Sequence, residues 1–446
     1  MGQDRVESFG SELRRRRLAA GLSLNQMALG LHYSKGYLSK IETGSRPPSL
    51  ALARRCDRIL EADGALLRAL PPTPPSSAAA ASMPEVGSDD WALDLMMDGS
   101  SEAHLLRRRD LLVGGAISLF GVTAGAPALA AVAGMESTSG SFAAMLHQLR
   151  IQGRAQPPAL LLPTLVVQVH SLSTLAEAAA PAARDRLLLL ASRFAEYTGW
   201  MVQESGDDRA MAWWTHRAVT YAKAAGDHEL AAYAHVRHAN AALYRGDGAS
   251  TVDLAQRAYA QVTTGSADRP ADPVGADRVR ALALQRQAQG HALLGRSDDC
   301  LRALDQARTL FDGLEPPGRP PPQAGDRPVL GTSADPSDLV LGWCLHDLGR
   351  SEDAVPVLER HLALIPETAR RARARAGARL ALAYTGVGDV TAACGTTQLV
   401  LDDQDHVDSA TVRHDLRAVA QGLSRWRAEP EVQRLSGGPL AAALRS

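Results

Sequence analysis

Along residues 9 to 60 the apolar positions fall at helical spacing in short runs, divided by cap and turn residues. Ser23 is placed to cap a helix from Leu24, and Gln26 three positions on can reach back to the Ser23 amide, the reciprocal arrangement of a capping box. Met27, Ala28 and Leu31 give this helix its apolar face. Ser34 caps the next one, in which Tyr37, Leu38 and Ile41 recur at helical spacing until Gly44 supplies the stop. A tight turn from Gly30 to Tyr33 joins the two. Upstream, Phe9 to Ala20 reads as a basic amphipathic helix with Leu13 and the run Arg14 to Arg17; downstream, Pro47-Pro48-Ser49 introduces a helix through Leu60. Residues 1–70 therefore predict one small helical domain. A helix that buries Leu38 and Ile41 while presenting Lys35, Gly36, Ser39 and Lys40 is built to lie in the major groove of double-stranded DNA.

From about residue 185 a longer period takes over. Helix pairs recur around small turn residues at Gly206, Gly246, Gly295, Gly349 and Gly388, at intervals of 40, 49, 54 and 39 residues. The two longest intervals contain insertions, SADRPADPVGAD and the proline-rich EPPGRPPPQAGDRP. Seven positions before each glycine stands Gly199, Ala239, Ala288, Gly342 or Ala381; twelve after it stands Ala218, Ala258, Ala307, His361 or Val400. Small residues at such positions let paired helices approach closely, as in tetratricopeptide repeats, whose period is about 34 residues. The pattern predicts an α-solenoid over 141–430, capped by a helix around Ala410 to Arg427, with 431–446 as a tail. With only short strand-like patches elsewhere, the fold class is all-α: a helix-turn-helix bundle followed by a helical-repeat array.

Charge sharpens the division. Residues 1–70 carry 12 Lys and Arg against 7 Asp and Glu, while the remainder carries 36 against 42. The positive excess sits with the proposed DNA reader, as neutralising phosphates requires. Its contacts are expected from Arg17, Asn25, Lys35, Gly36, Tyr37, Ser39, Lys40 and Arg46, with Lys35 first for base edges and Arg17 first for phosphates. Leu38, Ile41 and Met27 are core, and Glu42 reads as a structural ion-pair or cap residue.

The stretch Ser34-Lys-Gly-Tyr-Leu-Ser-Lys-Ile-Glu-Thr-Gly44 resembles the recognition helix of the repressor-like, XRE-type helix-turn-helix family almost letter for letter. The preceding helix departs from that family, because Leu24 stands where relatives commonly carry a DNA-bonding Gln. The second half, through Phe194-Ala-Glu-Tyr-Thr-Gly-Trp-Met-Val-Gln-Glu-Ser-Gly-Asp207, Trp214-Thr-His-Arg-Ala218 and Ala224-Ala-Gly-Asp227, resembles actinobacterial regulators that join such a domain to tetratricopeptide-like repeats. The resemblance implies a cytoplasmic transcriptional regulator, and by distant analogy one that senses a peptide, small molecule or partner protein. A reader this small contacts only a few base pairs, so a homodimer on a roughly palindromic site is expected, with the repeat array as the dimer surface.

Where an effector would sit follows from the repeat phase. Six positions before each turn glycine, Trp200, Asn240, Gln289, Trp343 and Leu382 point to the inner wall, with Gln203, Tyr233, Gln285 and His346 on neighbouring inward positions. Amides can bond an extended peptide backbone while Trp packs its side chains. The same positions would serve equally as core. Arg371, Arg375 and Arg379 share one helical face and read as a solvated stripe or a seat for an acidic partner.

Other chemistry finds little support. His235 and His238 have the wrong spacing for a helical metal pair, so no metal is expected. Cys56, Cys300, Cys344 and Cys394 are far apart, which suits reduced thiols. No phosphate loop, nucleophile elbow or paired carboxylates suggest an enzyme or a cofactor. Residues 71–106 have a Pro/Ala/Ser-rich linker composition. Beyond them, 107–135 opens on Arg107-Arg108-Arg109 and continues for about two dozen nearly uncharged residues. That segment is open to three readings: a linker helix, a single membrane anchor, or a signal-like export segment. The alternative function is accordingly a membrane-associated or exported repeat scaffold.

Overall fold

The computed structural model describes residues 8–70 apart from 32, 34, 47, 49 and 61, together with 135–263, 273–314 and 337–445. All regular structure among the described residues is helical. The linker read at 71–106, the apolar segment up to 134, and the expected caps Ser34 and Ser49 lie outside them.

The N-terminal domain comprises α1 (Phe9–Ala19), α2 (Leu24–Gly30), α3 (Lys35–Glu42), α4 (Leu50–Ile59) and α5 (Ala65–Arg68). Ser23 and Gln26 form the reciprocal cap, with Ser23 N–H donating to Gln26 Oε1 at 2.9 Å and Gln26 N–H to Ser23 Oγ at 3.2 Å. Phe9, Leu13, Met27, Leu31, Leu38, Ile41, Leu52, Cys56 and Leu66 make one core. A Cβ added at Gly10 would lie 2.4 Å from the Ile41 carbonyl oxygen, so α1 meets the end of α3 at backbone distance. Arg17 locks that crossing. Its guanidinium donates through Nε and Nη2 to the two Glu42 oxygens at 2.6 and 2.9 Å, and through Nη1 to the Leu22 carbonyl at 2.8 Å.

The array begins with α6 (Met135–Gln152) and α7 (Pro158–Glu177), both packed on α8. Five helix pairs follow: α8 (Pro181–Ser205) with α9 (Asp208–Ala224), α10 (Glu229–Tyr244) with α11 (Gly248–Thr263), α12 (Pro273–Leu293) with α13 (Ser297–Leu314), α14 (Ser337–Asp347) with α15 (Ser351–Leu364), and α16 (Arg370–Val387) with α17 (Val390–Val407). Each turn glycine read from the sequence has φ between +72° and +97°, the left-handed region that ends a helix at least cost to glycine. The small residues seven positions before it are buried, and at Gly342 a Cβ would sit 2.4 Å from Leu358 Cγ. α18 (Ala410–Leu423) and a 3-10 turn (Ser424–Trp426) follow.

The stretch expected as a tail is helical over its described residues: α19 (Pro430–Gly437) and α20 (Pro439–Arg445) contribute Val432, Leu435, Leu440 and Ala443 to the core of α16 to α18. These helices cover the apolar end that α17 and α18 would otherwise leave open.

The first helices of successive pairs, α10, α12, α14 and α16, pack side by side, and α18 continues the series to meet α8. The array thus closes on itself. Glu204, at the end of α8, accepts from Arg371 Nη1 at 2.9 Å, Arg375 Nη2 at 3.3 Å, Thr411 Oγ1 at 3.0 Å and also Ser409 Oγ. Arg371 further donates to the Gly153 and Gln156 carbonyls, and Arg379 forks onto Asp415. The arginine face is therefore neither a solvated stripe nor a free seat for an acidic partner: closure buries it against the array's own carboxylates.

Burial alone would raise the Glu204 carboxyl, but Arg371, Arg375 and the Ser409 hydroxyl outweigh it and hold its pKa below the usual glutamate value. A lowered folded-state pKa contributes stability that is complete above the unfolded value, about 4.3, and is lost as pH falls through the folded one. Denaturant titrations from pH 7 to pH 3 should therefore show an acid limb that Glu204→Gln flattens. In the N-terminal domain, Arg17→Ala leaves Glu42 charged, buried and uncompensated, and should cost about 3 kcal/mol of that domain's stability. The paired change Arg17→Met with Glu42→Leu should cost clearly less in the same denaturation measurement.

Candidate nucleic-acid interface

α3 buries Leu38 and Ile41 and turns the rest of its surface outward. With the whole chain in place, Lys35, Gly36, Lys40, Arg46 and Asn25 are exposed, while Tyr37 and Ser39 are half-buried. A Cβ at Gly36 would meet nothing within 4 Å, so the start of the helix is open to close approach by a duplex. Arg46 lies over the Tyr37 ring at 4.8 Å, and Tyr37 stacks on Tyr33 with ring centres 5.0 Å apart. Burial is the largest influence raising the Tyr37 hydroxyl above its ordinary value, which keeps it a neutral donor at neutral pH.

One expected contact is displaced. Arg17 is the residue expected on a phosphate, yet its side chain is 8% exposed, its Nε/Nη2 edge is engaged by Glu42 and its Nη1 by the Leu22 carbonyl. It shapes the reading surface from beneath rather than at the face that meets DNA. Of its neighbours, Arg15 and Arg16 pair with Glu12, and Arg14 is exposed.

The reverse side of the domain is not free. α4 and α5 sit on the hairpin tips of the array around Gly295 and Gly349. Arg54 Nη1 donates to Asp347 Oδ1 at 2.6 Å. A Cβ at Gly295 would come 2.6 Å from Leu67 Cδ1, one at Gly64 2.5 Å from the Leu294 oxygen, and one at Gly349 3.3 Å from Arg58 Nε. A cleft of about 390 Å³ runs along this seam, bordered by Arg54, Arg58, Asp63, Ser297 and Arg350. Asp347 and Arg54 are 293 residues apart in sequence, and no local signal pairs them.

The inner-wall residues are gathered by the closing array rather than spread along an open groove. Gln203, Tyr233, Gln285, Gln289 and Trp343 are buried; Trp200, Asn240 and His346 are half-buried. Trp200 lies against Tyr197 and beneath Arg371. Asn240 Oδ1 accepts from Arg286 at 2.7 Å, and Trp343 lies under Arg379, 3.2 Å from guanidinium to ring centre. Burial pushes His346 down to about 4, so it is neutral at physiological pH, with Nδ1 3.1 Å from Ser351 Oγ. Both amide atoms of Gln289 and the Arg286 Nε are buried without a hydrogen-bond partner among the described residues. An extended peptide lying along an open wall does not fit this closed arrangement.

Residues 8–70 match the family model of a helix-turn-helix domain. The match covers α1 to α5 and the whole exposed surface described above. The helix-turn-helix domain makes the chain a DNA-binding regulator with an all-α architecture. Comparison with curated proteins finds no match along the chain. Among the described residues no group of three or more His, Cys, Asp or Glu side chains is placed to hold a metal ion, and all four cysteines are free and buried.

The seam carries its own expectation. Asp347→Ala removes the acceptor from Arg54, whose Nε and Nη2 are already buried without partners, and so strands a charge between helix-turn-helix domain and array. Small-angle scattering should then show a larger radius of gyration than wild type at pH 7. An unchanged radius would mean that the remaining contacts, those at the turn glycines and at Arg425, hold the domain without this ion pair.

Proposed function

We propose that the protein is a sequence-specific, XRE-type transcriptional regulator that reads double-stranded DNA through α3, with a tetratricopeptide-like array for dimerisation and effector response. The observation that carries it is the exposed set Lys35, Gly36, Lys40, Arg46 and Asn25 on a helix-turn-helix domain whose opposite side is docked on the array. Lys35 and Lys40 face base edges, where a good bidentate contact discriminates by roughly 1–3 kcal/mol. Arg46 and Asn25 supply phosphate contacts that fix register. The Gly36 backbone lets the helix sink close to the duplex. In keeping with the resemblance to bacterial regulators, we place its work in the cytoplasm, and no catalytic role is proposed.

A reader of this size contacts few base pairs, which favours two copies on a roughly palindromic operator. The effector reading is supported by the unpartnered Gln289 amide and Arg286 Nε beside Asn240 on the inner face of α12. A small molecule bearing carbonyl or carboxylate oxygens suits these groups better than an extended peptide, given the closure at Glu204. The membrane-associated alternative is favoured by one observation only. α7 is long and apolar enough to cross a membrane by length and composition, and it packs its buried residues Leu161, Leu162, Leu165, Val169 and Leu172 into the core of the array.

Selection of duplexes from a random pool by the full-length protein should enrich one motif. Lys35→Ala should then lower preference for that motif by roughly 1–3 kcal/mol while leaving affinity for random duplex nearly unchanged. Intact preference in the variant would remove α3 as the reading element.

A further inference from the structure

The last repeat reaches the recognition helix directly. Arg425, in the 3-10 turn after α18, places its guanidinium over the Tyr33 ring at 5.3 Å. Tyr33 lies in the turn that joins α2 to α3, and its ring is stacked on Tyr37 at 16° between planes. Tyr37 also carries Arg46, 4.8 Å from its ring centre. Arg425, Tyr33, Tyr37 and Arg46 are therefore linked by successive ring contacts from the array to a residue expected on a phosphate.

The array end of this stack is fixed. Arg425 Nη2 donates to the Thr385 carbonyl at 2.7 Å and Nε to the Gly422 carbonyl at 3.1 Å, while the Trp426 ring lies 4.5 Å from the guanidinium. Both acceptors are backbone groups of packed helices, α16 and α18, so the guanidinium has a set plane. A cation held in a set plane over an aromatic face favours one placement of that ring, and the stack passes the preference to Tyr37 in the first turn of α3. The Tyr33 to Tyr37 segment sets how α3 leaves the turn, and hence how Lys35 and Lys40 meet a groove.

We propose that Arg425 is a positioning residue for DNA reading, by which the last repeat of the array sets the pose of the recognition helix through the Tyr33–Tyr37 stack. The inference rests on α3 being the reading element. It gives the array a direct part in operator choice, separate from dimerisation and from the docking of α4 at Asp347.

The test uses full-length protein and the duplex that wild type enriches from a random pool. Dissociation constants are measured by fluorescence anisotropy for that duplex and for a random one of equal length, at one salt concentration. Arg425→Ala should lower the ratio of operator to random affinity by about 3- to 10-fold, with random affinity unchanged. Tyr33→Leu should do the same, and the double variant should be no worse than the poorer single one, because both changes break one path. Arg425→Lys keeps the charge without the planar fork and should recover only part of the ratio. Equal losses on both duplexes in Arg425→Ala would make Arg425 a plain phosphate contact and overturn the proposal, as would additive effects, an unchanged ratio, or full recovery with Lys. If Arg425→Ala fails to fold by circular dichroism, Tyr33→Leu and Arg425→Lys decide between the same outcomes. A wild-type protein that enriches no sequence would overturn the reading function itself, and this inference with it; enrichment without an effect of Arg425 overturns only the inference.

Discussion

The arrangement of the molecule depends on one carboxylate. Asp347, the last residue of α14, accepts from Arg54 of the helix-turn-helix domain on Oδ1 and from the Trp343 indole on Oδ2 at 3.1 Å. The Trp343 ring lies in turn under Arg379, whose fork is closed by Asp415. A cation on the DNA-reading domain is thereby continuous with the ion-pair network that closes the array. Buried ion pairs are weak contributors to net stability, because desolvation offsets most of their attraction, but they penalise every alternative that leaves one partner unpaired. Here that penalty selects one seat for α4 among the hairpin tips.

The tips themselves are shaped by a backbone requirement. A helix hairpin that turns through a left-handed residue favours glycine there, and glycine leaves no side chain on the rim. At Gly295 and Gly349 the bare rim is what α4 and α5 rest on, within a distance that any Cβ at Gly295 would violate. The same residue that ends a helix thus also makes a docking surface, so the repeat pattern and the seat of the reading domain share one cause.

That division explains which features were legible in the chain. The capping box, the turn glycines and the small residues beside them are local, with causes a few residues away, and each could be read directly. The inward phase of Trp200, Asn240, Gln289 and Trp343 was legible for the same reason. What surrounds them was not. Glu204 meets Arg371 across 167 residues, and the closure this creates converts an expected open wall into an interior. Arg17 shows the limit within a single domain: its nearness to α3 was readable, but Glu42 and the Leu22 carbonyl take its guanidinium, so a residue expected at the DNA surface became part of the scaffold. The helices of residues 430–445 were hidden because their apolar positions are few and matter only against the uncovered end of α17 and α18.

Control of such a molecule is constrained by where the array touches the reading domain. The surface of Lys35, Gly36 and Lys40 is exposed with the domain docked, so the array does not act by covering it in this conformation. The two attachments lie apart: Asp347, at the end of α14 in the fourth pair, grips α4, whereas Arg425, beyond the last pair, bears on the turn before α3. A uniform shift of the array moves both together and leaves α3 where it was relative to α4. A change in curvature between α14 and α18 moves them unequally and turns α3 against its own core. The effector seat proposed beside Asn240, Arg286 and Gln289 would lie upstream of that interval, next to Trp343 through Tyr244, whose rings meet edge to face at 5.7 Å. Its influence on DNA reading is then bounded by its unequal affinity for the two curvatures, whatever its total affinity.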